Sequence, residues 1–170
     1  MRRSFLGALL AWGAAGCHRR GPALAEQPIQ RLEGVRLSQS TRGSPAWELQ
    51  ARSATLEQGD SIAVLTAPEV VFFKNKRKVS TVSSVAGVLR TDTYDVTLST
   101  RVIVHSLDDL STLLTEELRY SSQRKKFLTD RDVLVKRPGG TLRGRGLEAS
   151  PDLSDIRIFN QRTVMEKLPQ

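Results

Sequence analysis

The chain has 170 residues, one cysteine, two histidines and a formal net charge of +8, from 26 Lys and Arg against 18 Asp and Glu. A lone cysteine excludes a disulfide framework within the chain and a thiolate metal cluster, and His18 and His105 are too far apart in sequence for a histidine-pair metal motif. Aromatic residues make up 5% of the chain and are scattered, apart from Phe72 and Phe73, which leaves no stacking platform for single-stranded nucleic acid.

In chain order, Met1 is followed by Arg2 and Arg3 and then by the apolar run "SFLGALLAWGAA". A run of this length suits a signal-peptide core and is too short to span a bilayer as a helix. Ala14, Ala15 and Gly16 lead into Cys17, an order that resembles a lipobox, with Ala14 standing where leucine is usual. Residues 1–17 therefore read as a signal peptide ending in a lipidated Cys17. An ordinary signal peptide, or an N-terminal helix with an incidental cysteine, is the plainer reading. Residues 18–32 carry Gly21, Pro22 and Pro28 without a period and read as a tether. Residues 33–160 are one domain's worth of chain, and 161–170 form a tail. Without Arg2 and Arg3 the net charge is 26 − 2 − 18 = +6. That suits attraction to anionic surfaces, and equally it suits mere solubility.

The domain is patterned for strands. In "AWELQA" Trp47, Leu49 and Ala51 alternate with polar residues; in "RVIVHS" Val102 and Val104 do the same; in "VLVKR" Val133 and Val135 do. Turn-forming runs at 41–45, 57–60, 74–78, 106–109, 121–126 and 137–140 punctuate these segments. "DDLSTLLTEELRY" also fits a helical stripe through Leu110, Leu113, Leu114 and Leu118. A short internal echo favours strand there: "LTAPEV" from Leu65, "LTEEL" from Leu114 and "LTDRDV" from Leu128. Such self-similarity is typical of coiled or stacked β structure. The expected fold is all-β, a sandwich, barrel or roll.

No catalytic constellation is present. There is no nucleophile elbow, no phosphate-binding loop and no histidine cluster. "GTLRGRG" at 140–146 has three glycines but reads as a strand, with Gly140, Gly144 and Gly146 serving bends or bulges. Glu116, Glu117, Asp130 and Asp132 read as a solvated sheet face, and His105 as a surface residue. The expectation is a non-enzyme without metal or cofactor and without a nucleic-acid partner.

The order "GSPAWELQARSATL", "LTAPEVVFF", "VSSVAGVL", "VIVHS…LLTEELRY" and "FLTDRDVLVKRPGGTLRGRGLEA" resembles the LptC family, a membrane-anchored periplasmic component of lipopolysaccharide export. The resemblance runs from about Glu33 to Ile158. It implies an open, twisted β-jelly roll of antiparallel strands with an apolar interior groove that takes acyl chains. It also implies partners: lipopolysaccharide, the subunits of an inner-membrane Lpt ABC transporter, and a periplasmic LptA-like jelly-roll protein joined edge to edge.

On that reading the groove candidates are Trp47, Leu49, Phe72, Val102, Val104, Leu118, Tyr120, Val133 and Val135. The edge-pairing candidates are Val35 and Leu37 in the first strand and Ile156 and Ile158 in the last. Arg124, Lys125 and Lys126 read as a solvated turn that could also meet lipid phosphate. Many family members hold their N-terminus with a transmembrane helix. Here a lipid anchor on Cys17, or an uncleaved N-terminal segment, would hold the protein to the membrane, with the inner membrane the expected one. The alternative is a structural lipoprotein with a closed β core and no lipid cargo.

Overall fold

The computed structural model describes residues 29–41, 43–57 and 61–161, so Cys17, His18, most of the tether and the residues beyond Gln161 lie outside the described part. Among the described residues eleven strands form, all paired antiparallel: β1 (Ile29–Thr41), β2 (Ser44–Glu57), β3 (Ile62–Thr66), β4 (Glu69–Lys74), β5 (Arg77–Ser83), β6 (Ala86–Arg90), β7 (Val96–Ser106), β8 (Thr112–Ser121), β9 (Lys126–Arg137), β10 (Gly140–Ala149) and β11 (Ile156–Gln161). The segment 108–120, ambiguous by periodicity, is a turn followed by β8. β1 starts at Ile29, inside the stretch that the sequence reads as tether.

The first half of β2 pairs with β4 and its second half with β3. β7 mirrors this, pairing with β6 through its first half and with β5 through its second. β1 lies outside β2, and β8 to β11 follow β7 as a meander. The sheet therefore has two ends, β1 and β11.

Each long strand passes from one wall of the roll to the other through a corner. Gly34 of β1, Ala67 between β3 and β4, Thr100 and Arg101 of β7, and Gly146 of β10 all have φ between 48° and 78° at these corners. Register shifts fall at Ser99/Val102, Thr115/Arg119 and Arg145/Leu147. Bulges and left-handed residues are how a strand bends sharply without ending. The corners are stitched by backbone hydrogen bonds: Ala67 N–H to Val85 O (2.8 Å), Ser84 N–H to Pro68 O (3.2 Å) and Val85 N–H to Thr100 O (3.0 Å). Wall one holds the start of β2, β4, β5, the end of β7, the start of β8, the end of β9 and the start of β10. Wall two holds the complementary halves with β3 and β6.

The core lies between the walls. Because side chains alternate along a strand, residues paired across strands share a face, and the registers line up whole rows. In wall one a row runs Leu37–Leu49–Val70–Val82–Val104–Leu113–Val135–Leu142. In wall two another runs Leu56–Ala63–Leu89–Val96–Tyr120–Phe127–Ala149–Ile156. Both cross the strands and so run along the roll's axis, from the β1 side to the β11 side.

Candidate functional site

All nine groove candidates are buried, and all belong to one apolar cluster. Trp47, Leu49, Phe72, Val102, Val104, Val133 and Val135 come from wall one. Leu118 and Tyr120 come from wall two and face them. The walls touch where Phe72 meets Tyr120 and Phe127 edge to face, with ring centroids 4.7 and 5.0 Å apart. The interior is filled: Trp47, Val104 and Val135 are fully buried. Two polar atoms inside it, Trp47 Nε1 and Ser80 Oγ, have no hydrogen-bond partner. Each such orphan costs about 1–3 kcal/mol.

The edge candidates sit at the two ends of the sheet. Val35 and Leu37 are half-buried on β1, which pairs only with β2; Ile156 and Ile158 are half-buried on β11, which pairs only with β10. Each end thus presents a strand whose outer backbone edge has no strand beside it among the described residues, together with side chains continuous with the core. Large apolar side chains are exposed on the same strands: Ile29 and Leu32 on β1 and Phe159 on β11. β11 packs closely over Gly144 of β10, where a Cβ would come 2.7 Å from Asn160 O.

Opposite the corners, the walls close on each other along a mouth whose covering strap sequence reasoning missed. Ser150–Asp155, the connection from β10 to β11, folds as a strap over it, closed by Ser150 N–H to Asp155 O and Leu153 N–H to Ser150 O, both 2.9 Å. Leu153, held at φ 58°, is fully buried in the core. Side chains of wall one hold the strap. Lys74 Nζ donates to Asp152 Oδ2 at 2.6 Å, Ser106 Oγ to Asp152 O at 2.9 Å and Arg137 Nη2 to Leu153 O at 3.1 Å. Further along, Gln39 on wall one exchanges hydrogen bonds with Ser122 on wall two at 3.3 Å.

Burial alone would push the Asp152 carboxyl up. Hydrogen bonds from Lys74, Ser150 and Ser154 outweigh it and hold the group well below the usual carboxylate range. Lys74 is raised in turn by its bond to Asp152. Burial, with the negative charge of Asp95 behind it, pushes the Tyr120 phenol up to about 12.

The basic turn is partly committed. Arg124 pairs with Glu148 at 2.7 Å and Lys126 with Asp155 at 2.6 Å, while Lys125 is exposed. His105 is exposed and its Nδ1 lies 3.2 Å from Thr112 Oγ1. Glu117 lies 3.7 Å from Arg131 on the outer face. Among the described residues no group of His, Cys, Asp or Glu is arranged to hold a metal ion.

The fold is an all-β, jelly-roll-like sheet with an apolar interior and an edge strand at each end. Residues 26–166 match the lipopolysaccharide-assembly, LptC-related family, and the chain belongs to it. That places the protein in lipopolysaccharide transport, as a membrane-associated component of the periplasm. No curated protein matches the chain.

Proposed function

We propose that the roll binds the acyl chains of lipopolysaccharide between its two walls and passes them from an inner-membrane ABC transporter to a periplasmic jelly-roll partner. The observation that carries this reading is the pair of apolar rows that cross the sheet, one from Leu37 of β1 to Leu142 of β10 in wall one and one from Leu56 of β2 to Ile156 of β11 in wall two. The wall-one row, at right angles to the strands, presents Leu or Val at every step. Hydrocarbon sliding along it meets no large change in affinity, and each sheltered CH₂ gains about 0.8 kcal/mol over water. On this reading the nine buried candidates would line the path, Leu49, Val104, Val135 and Tyr120 within the rows and the others in the same apolar cluster. β1, through Val35 and Leu37, and β11, through Ile156 and Ile158, would each take a neighbouring roll by strand addition. The sequence carries no phosphate-binding loop motif, and on this reading the drive comes from the transporter. The protein is held at the inner membrane by a lipidated Cys17 or an uncleaved N-terminal segment.

A filled interior requires the walls to part, with Phe72 leaving Tyr120 and Phe127. The same filling favours a second reading, a scaffolding lipoprotein with a closed core. A photo-crosslinking amino acid at Leu118, with an outward control at His105, separates the two in intact cells. Lipopolysaccharide adducts at Leu118 and none at His105 are expected. A folded protein that gives no adduct at Leu118 or at Val104 would leave the scaffold as the better account.

A further inference from the structure

The mouth is a cavity of about 420 Å³. Its floor is apolar, formed by Phe72, Phe73, Tyr120 and Val79, and its lips carry Lys74 on wall one and Lys125 on wall two. The hydroxyls of Ser44 and Ser122 stand on the same rim. Cationic lips over an aromatic floor match one ligand chemistry, an anion with hydrocarbon attached. A bare anion gains nothing from the floor, and a neutral chain gains nothing from the lips.

The two lysines differ in what they already hold. Lys125 has no ion-pair partner among the described residues, although both its neighbours in the turn are paired. Lys74 is bound to Asp152, yet its side chain is 62% exposed against 7% for Asp152. An incoming anion can therefore reach the ammonium without opening the roll. Phosphate brings more charge and more acceptor oxygens than a carboxylate does. Once Lys74 turns to it, Asp152 is a buried carboxylate without its cation, a state costly enough to drive it toward water. Asp152 is also the anchor of the strap: its carbonyl takes the Ser106 hydroxyl, and its Oδ1 takes the Ser150 and Ser154 hydroxyls.

We infer that the mouth captures the phosphate of an amphipathic lipid between Lys74 and Lys125, and that capture draws Lys74 from Asp152, frees the strap and withdraws Leu153 from the core. This rests on the reading that the interior carries lipid, and it names the gate and the group that works it.

The test is calorimetric titration of the purified full chain with three probes: monomeric dihexanoyl phosphatidic acid, dihexanoylglycerol and inorganic phosphate. The phosphatidic acid should bind at least about tenfold more tightly than either of the others, as expected when both a charged contact and hydrocarbon burial contribute. Lys74→Gln should weaken it about tenfold and Lys125→Gln severalfold, with Lys74→Arg retaining most of the binding. Asp152→Asn should instead tighten it, by about threefold or more, because Lys74 is then free and the strap released. Lys74→Gln and Asp152→Asn break the same ion pair, so a purely structural clasp moves both in one direction; that result would overturn the inference. Equal binding of inorganic phosphate would reduce the site to an anion site, and equal binding of dihexanoylglycerol would remove the phosphate from it. Indifference to both lysines would place the lipid elsewhere. None of these failures affects adducts at Leu118, and loss of those adducts with the mouth still selective would sink the transport reading alone.

Discussion

The two long sides of the roll are closed by different means. At the corners the same strands run through both walls, and backbone hydrogen bonds such as Ala67 to Val85 tie neighbours together. Opening that side would break peptide ladders and expose backbone groups. At the mouth, among the described residues, wall one meets wall two and the strap through side chains: Gln39 with Ser122, Lys74 with Asp152, Ser106 with Asp152 O, Arg137 with Leu153 O. These can be exchanged for water or ligand one at a time. A roll built this way has a hinge and a lip, and the direction in which it can admit hydrocarbon follows from the asymmetry.

The largest effect expected lies on neither side but between them. Leu113 is fully buried in the row that crosses wall one, and Leu113→Ala should cost about 2–5 kcal/mol, read as a lower urea midpoint with an unchanged slope. Next comes the corner. Gly146 has φ 78°, and a Cβ there would lie 3.1 Å from Phe159 Cδ2. Gly146→Ala should cost about 1–2 kcal/mol while leaving mouth ligands unaffected, and a matching change in probe binding would undo the separation of hinge from lip. Smaller again is the acid dependence of the lip. The folded Asp152 has a depressed pKa, so its stabilisation is present above the unfolded value, about 3.9, and is lost as pH falls through the lower folded value. The difference in urea midpoint between the native chain and Asp152→Asn should stay constant from about pH 7 to about pH 5 and shrink below about pH 4.

Much of this was legible in the chain because alternation is a local signal. Trp47, Leu49, Val102, Val104, Val133 and Val135 are buried as their period-two placement implies. The Leu-Thr echo has a structural meaning that its spacing alone could not reveal. Leu65-Thr66, Leu114-Thr115 and Leu128-Thr129 each stand immediately before a corner. The hydroxyls work there: Thr115 Oγ1 donates to Asp132 O at 2.9 Å, and Thr129 Oγ1 accepts from Arg131 N–H at 3.1 Å. The polar closure of the mouth left no such trace, although Phe72, Tyr120 and Lys125 around it are singled out in the sequence. Gln39 and Ser122 lie 83 residues apart and Lys74 and Asp152 lie 78 apart, on strand ends and turns whose polar residues look like any solvated surface. Leu153, alone among "SPDLSD", has no period to mark it as core. Only the bending of the sheet brings these residues together, and bending is a sum of corners rather than a pattern within one strand.

The smallest effect would report most directly on whether the lip opens. Tyr120 sits on the mouth floor against Phe72, and burial is the main reason its phenol is pushed up to about 12. A raised folded pKa means stability that is complete below the unfolded value, about 10, and lost as pH rises through about 12. Ultraviolet titration of phenolate should therefore show one step held near 12. Asp95→Asn, which removes the lesser cause, should move that step only slightly. Asp152→Asn should move it down by more, although Asp152 is not among the causes that raise it, because releasing the strap lets water reach the floor. If Asp152→Asn leaves the step in place while Phe72→Ala lowers it, the strap does not govern hydration of the mouth, and the lip is closed by the aromatic contact alone.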